Sequence, residues 1–94
     1  MRHYVLLKFE QGYLNDEIVD YIKVVFDNIS EIRGIESVIV HNNCFDRESN
    51  MDIMIEMNIR DEEILKLYLN HELHIEFAKK MNDHLISKVS FDCY

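Results

Sequence analysis

The chain has 94 residues, 48% hydrophobic and 30% charged, which fits a single small folded domain spanning 1–94 and excludes a disordered segment. A formal net charge of −8, from 18 acidic and 10 Lys plus Arg residues, repels phosphate backbones and anionic lipid, so neither nucleic acid nor membrane is an expected partner. No apolar run approaches the roughly 18 to 20 residues of a membrane span, and Met1-Arg2-His3 leads into strand-like sequence rather than a signal peptide's apolar core, so the expected compartment is the cytoplasm.

In chain order, His3 to Phe9 carries apolar side chains on both parities, the pattern of a strand covered on both faces. Gly12 lies in the connection, and Asn15 with Asp16 and Glu17 offers a helix N-cap followed by an acidic first turn. Ile18, Tyr21, Ile22, Val25, Ile29 and Ile32 recur at helical spacing, and Arg33-Gly34 is expected to end that helix. Ile35 to Val40 reads as a second strand and His41 to Asn50 as a polar loop.

Met51, Ile53, Ile55, Met57 and Ile59 alternate with Asp52, Met54, Glu56 and Asn58, which predicts a third strand with one buried face. Asp61-Glu62-Glu63 supplies an acidic helix start, and adjacent helical carboxylates point apart, so it is not expected to bind metal. Ile64, Leu65, Tyr68 and Leu69 continue that helix, a break falls near Asn70-His71, and His74, Phe77, Ala78 and Met81 resume helical spacing. Val89, Phe91 and Cys93 alternate with Lys88, Ser90 and Asp92 as a fourth strand. Cys44 and Cys93 lack metal-finger or redox spacing and read as free thiols, while the absence of Pro and the scarcity of Gly leave no linker.

The order is β-α-β-β-α-β, an α+β ferredoxin-like arrangement with a four-stranded antiparallel sheet and both helical regions on one face. The other face would be bare. Pairing it with a second copy removes that apolar surface from water, at roughly 25 cal/mol per Å², and gives a homodimer through the open sheet face.

Three segments resemble the stress-responsive A/B-barrel (Dabb) family: Arg2 to Phe9, Tyr68-Leu69-Asn70-His71-Glu72-Leu73-His74, and Val89 to Tyr94. Ile32-Arg33-Gly34-Ile35 and Asp52 also fit its pattern, so the likeness runs the length of the chain. The resemblance implies a dimeric α/β barrel. A plant polyketide cyclase of this fold uses a Tyr and a His in the second helical region, which match Tyr68 and His74, with His3 matching a pocket histidine on the first strand. Ile53 stands where that cyclase has a third pocket histidine, and His71-Glu72 stands where the family usually has His-Pro.

The resemblance makes Tyr68 and His74 candidate catalytic residues, and His3, Tyr68, His71 and His74 candidate ligand contacts between sheet and helices. His74 would act as a general base toward a proton α to a carbonyl, with Tyr68 hydrogen-bonding the enolate. Against this stands a structural reading, in which His74 braces its helix by donating to a backbone carbonyl, Tyr68 is a core aromatic and His71 serves the turn. The expected ligand is a small hydrophobic or carbonyl-containing molecule, with no cofactor and no metal. A haem-degrading relative is disfavoured because the chain lacks Trp. The preferred function is small-molecule binding or a stress-associated role, and the alternative is a cyclase-like or lyase-like enzyme.

Overall fold

Asn15 sets the entry to the first helix, where its side-chain oxygen accepts the Ile18 N–H at 2.9 Å and Asp16 and Glu17 fill the first turn. The computed structural model describes residues 1–94. Its elements are β1 (Arg2–Phe9), α1 (Asp16–Ile29), β2 (Ile35–Asn42), β3 (Ile53–Ile59), α2 (Glu62–Leu69), α3 (Glu72–Asn82) and β4 (Leu85–Cys93). This is the expected β-α-β-β-α-β order, with the second helical unit in two pieces.

The sheet has strand order β2-β3-β1-β4, and each adjacent pair is antiparallel. Strand alternation sends Leu7 and Phe9 of β1 and Ile53, Ile55, Met57 and Ile59 of β3 to one side, where Ile22, Phe26 and Ile29 of α1 and Ile64 and Tyr68 of α2 bury against them. On the opposite side, Tyr4 pairs with Phe91 and Glu56, and Leu6 pairs with Val89 and Met54. No helix covers that side. Phe91 is 63% exposed, Val89 50% and Ile39 49%, so an apolar surface faces solvent, crossed by the His41–Glu56 pair that separates Ile39 from Tyr4.

Several boundaries differ from those expected. α1 stops at Ile29, before Arg33-Gly34, and its last turn holds no basic residue. The chain tightens there instead: the Ser30 hydroxyl donates to the Asp27 carbonyl at 2.5 Å, and the Ile32 N–H to Ile29 at 3.0 Å. Gly34 then takes φ +94°, where a Cβ would stand 2.6 Å from the Ile64 side chain. β2 runs on to Asn42 because pairing with β3 continues to Asn42 opposite Ile53, which takes His41 out of the loop. β4 likewise begins at Leu85, opposite Phe9. No helix is long and apolar enough to cross a membrane.

Candidate functional site

His3 is the one buried polar or charged residue in the chain, 5% exposed on the helix side of β1. Directly across the β1–β4 ladder stands Asp92, and its carboxylate Oδ1 contacts His3 Nδ1. A buried imidazole needs a partner, and this one fixes Nδ1 as the protonated nitrogen.

Tyr68 covers this imidazole from α2. The rings meet edge to face with centroids 6.1 Å apart, at 67°. Tyr68 is 2% exposed, and burial pushes its phenol far above the ordinary value, so the hydroxyl keeps its proton. That hydroxyl makes no hydrogen bond within the chain, yet no buried polar side-chain atom is left unpartnered, so the oxygen touches accessible space.

His74 reaches the other side of Tyr68, with centroids 4.8 Å apart. On an unbroken helix, residues six positions apart would point about 120° away from each other. The junction between α2 and α3 removes that conflict. Asn70 leaves helical geometry at φ −98° and ψ 1°, its side-chain amide donates to the Lys66 carbonyl at 2.9 Å, and His71 restarts the chain as an N-cap. His71 accepts the Leu73 N–H on Nδ1 at 3.1 Å and so holds the helix junction. The structure thus brings His3, Tyr68 and His74 together and places His71 at their hinge.

His74 Nδ1 lies 2.9 Å from the Leu69 carbonyl and donates to it, as the structural reading of this residue anticipates. The bond also selects the tautomer whose Nε2 carries a free lone pair. Burial lowers the proton affinity of His74, and the charges of Lys88 and His3 lower it further against the opposing pull of the Leu69 carbonyl. At neutral pH this imidazole is therefore neutral and basic at Nε2.

Tyr68 and His74 line a cleft between the sheet and α3, walled by Val5, Leu7, Phe26, Phe77, Met81 and Leu85, with Lys88 alongside. Its volume of about 20 Å³ accommodates roughly one water. α3 buries only Phe77 and Met81, so entry of a larger molecule requires this helix to move outward. Ile53, at the position of the cyclase's third histidine, is buried in the apolar core. A wider hollow of about 360 Å³, between Leu6, Met54 and the turn at Asn43 and Asn50, opens on the uncovered side of the sheet, away from these groups. No group of three or more His, Cys, Asp or Glu side chains converges as a metal site.

Two residues of this site stand outside the sequence-based candidates. Asp92 and Lys88 each lie on β4, and only their register against β1 shows that they belong here. The one signal available in the chain was the period-2 pattern of β4, which puts both on the same face.

The family model described as Stress responsive A/B Barrel Domain matches residues 1–94. Comparison with curated proteins finds no match. Among solved structures, the chain is similar to a dimeric ferredoxin-like protein of unknown function from Thermobifida fusca, at TM-score 0.81 and 16% identity, covering 96% of this chain and 85% of that one. A Dabb family protein with a ferredoxin-like fold from Mesorhizobium loti aligns at TM-score 0.79 and 16% identity, over 99% and 93% of the two chains. A hydroxynitrile lyase from Passiflora edulis aligns at TM-score 0.78 and 17% identity, over 96% and 87%. At these identities the likeness concerns the fold.

Proposed function

This chain belongs to the stress-responsive A/B barrel (Dabb) family, and from that premise we propose that it is a cytoplasmic homodimer, closed through the open sheet face, that binds a small apolar carbonyl compound beside Tyr68 and His74. The observation that carries the ligand reading is that one apolar cleft is lined by both Tyr68, whose protonated hydroxyl has no partner within the chain, and His74, whose Nε2 is free. A hydroxyl donor and a nitrogen lone pair suit a carbonyl oxygen and its neighbouring acidic C–H, and the apolar walls suit the rest of such a ligand.

The dimer reading rests on the exposed apolar residues Phe91, Val89 and Ile39 of the uncovered face, which they share with Tyr4, Leu6, Met54 and the His41–Glu56 pair. Related structures are described as dimeric. Burying that patch against its own copy stabilises both chains. Cys44 and Cys93 are unpaired, in keeping with a reducing compartment.

A second reading, a cyclase-like or lyase-like enzyme, is favoured by the hydrogen bond from His74 Nδ1 to the Leu69 carbonyl, which leaves the Nε2 lone pair free to accept a proton. His74 Nε2 would take the proton α to the carbonyl while Tyr68 donates a hydrogen bond to the oxygen that becomes the enolate. The hydroxynitrile lyase of similar fold is consistent with this alternative without favouring it.

Titration of the full chain with phenylacetone and phenylpyruvate, followed by NMR, tests both readings. Binding is expected to shift the Tyr68 and His74 signals, and Tyr68→Phe is expected to weaken it with the fold intact; no shift with either probe overturns the ligand site. Solvent deuterium entering the α-carbon of a bound probe, and lost in His74→Ala, marks an enzyme; binding without exchange marks a binding protein. Sedimentation at low micromolar concentration is expected to give a dimer, and Phe91→Asp a monomer.

A further inference from the structure

Lys88 stands opposite Leu7 in the β1–β4 ladder, so its side chain leaves the sheet on the helix-covered side. It lines the same cleft as Tyr68 and His74, where it is the one permanently charged residue. The residue lines the cleft and is exposed overall, so it stands at the cleft's rim. No carboxylate pairs with it: the ion pairs of the chain are His3–Asp92, His41–Glu56, Arg60–Asp61 and His84–Glu10.

An unpaired cation at the mouth of an apolar cleft selects for an anionic group on whatever enters. We infer that Lys88 is a specificity-determining residue and that the site takes oxo acids, small aryl or alkyl carbonyl compounds with a carboxylate beside the carbonyl. The carboxylate pairs with Lys88 Nζ, the carbonyl lies against the edge shared by Tyr68 and His74, and the apolar tail takes the space that opens toward Phe26 and Phe77 when α3 moves outward. This inference rests on the ligand-site reading above and adds the charge of the ligand.

The net charge of −8 makes the assignment discriminating. The field of the whole protein opposes an anion, so without a local cation the neutral analogue of an oxo acid would bind better. Lys88 acts within the cleft, since its charge is among the causes that lower the proton affinity of His74, after burial. A carboxylate that neutralises Lys88 removes that effect, so an oxo acid raises the proton affinity of His74 on binding and a neutral ketone does not.

The experiment compares phenylpyruvate with phenylacetone, which share the aryl ring and the carbonyl and differ by carboxylate against methyl. NMR titrations of the full chain are expected to show the oxo acid binding roughly fivefold more tightly, the scale of one partly exposed ion pair. Lys88→Met should erase the preference and Lys88→Arg should keep it, and the midpoint of His74 titration should rise only with the oxo acid. Equal binding of the two probes, or a preference that survives Lys88→Met, overturns the inference while leaving the ligand site standing. Binding of neither probe overturns the ligand site itself, and this assignment falls with it.

Discussion

α1 and the α2–α3 pair cover the same face of one sheet, and they are held in different ways. α1 is a continuous helix of 14 residues, capped by Asn15, with Ile22, Phe26 and Ile29 packed to near-zero exposure. α2 and α3 have 8 and 11 residues, meet at a non-helical Asn70, and bury two residues each. An unbroken apolar stripe anchors one long helix, whereas an interrupted helix aims Tyr68 and His74 at each other and leaves each shorter piece held by two buried residues. The candidate site lies under the half of the cover that is less firmly anchored.

The comparison is broken most directly at α1. Ile22→Ala is expected to cost about 3 kcal/mol in urea unfolding, against less than about 1 kcal/mol for Ile75→Ala on α3. Ile22 is fully buried and Ile75 is 41% exposed, and equal losses would erase the contrast.

A smaller effect is expected where α1's exit meets α2. Gly34→Ala places a methyl group against Ile64 and strains a backbone at φ +94°, which together should cost about 2 kcal/mol. Adding Ile64→Ala should recover only the steric part, so the double mutant is non-additive in a denaturation cycle. Simple additivity would mean that the two residues do not meet.

His71→Ala removes the cap at the restart of α3 and is expected to cost about 1 kcal/mol or less. The informative measurement is hydrogen exchange, in which α3 amides should lose protection while α1 amides keep theirs. Uniform loss across both helices would show that they open as one unit.

The smallest effect is a pH dependence. His74 binds its proton less readily folded than unfolded, so the unfolded state takes up more protons in the window between the lowered folded value and the ordinary 6.5. Stability therefore rises with pH across that window, and it falls on acidification below about 6.5. His74→Gln should flatten this slope in melting curves collected from pH 7 downward, and an unchanged slope would assign it to other groups.

Much of the cover was legible in the chain. The N-cap at Asn15, the acidic helix start at Asp61-Glu62-Glu63 and the break at Asn70-His71 depend on neighbours a few residues away, and the structure has all of them, with Asp61 itself as the cap. The burial of alternate residues in β3 follows from a period-2 pattern. The end of α1 was less legible, because Arg33-Gly34 carries a stop signal while the turn is made by Ser30 and Ile32 against the sheet. Of the site, Tyr68, His74 and His3 could be named through family resemblance, but neither Asp92 nor Lys88 could, since the residue opposite each is more than 80 positions away.

Local sequence by itself determined which segments are helix and strand and which of their faces are apolar, because those properties depend on spacings of two to four residues. Tertiary structure alone decided that Asp92 meets His3, that Lys88 faces the cleft, and that the kink brings His74 onto Tyr68. Strand register and the angle between two helices are set by packing across the whole sheet, where the competing arrangements differ in burial rather than in local pattern.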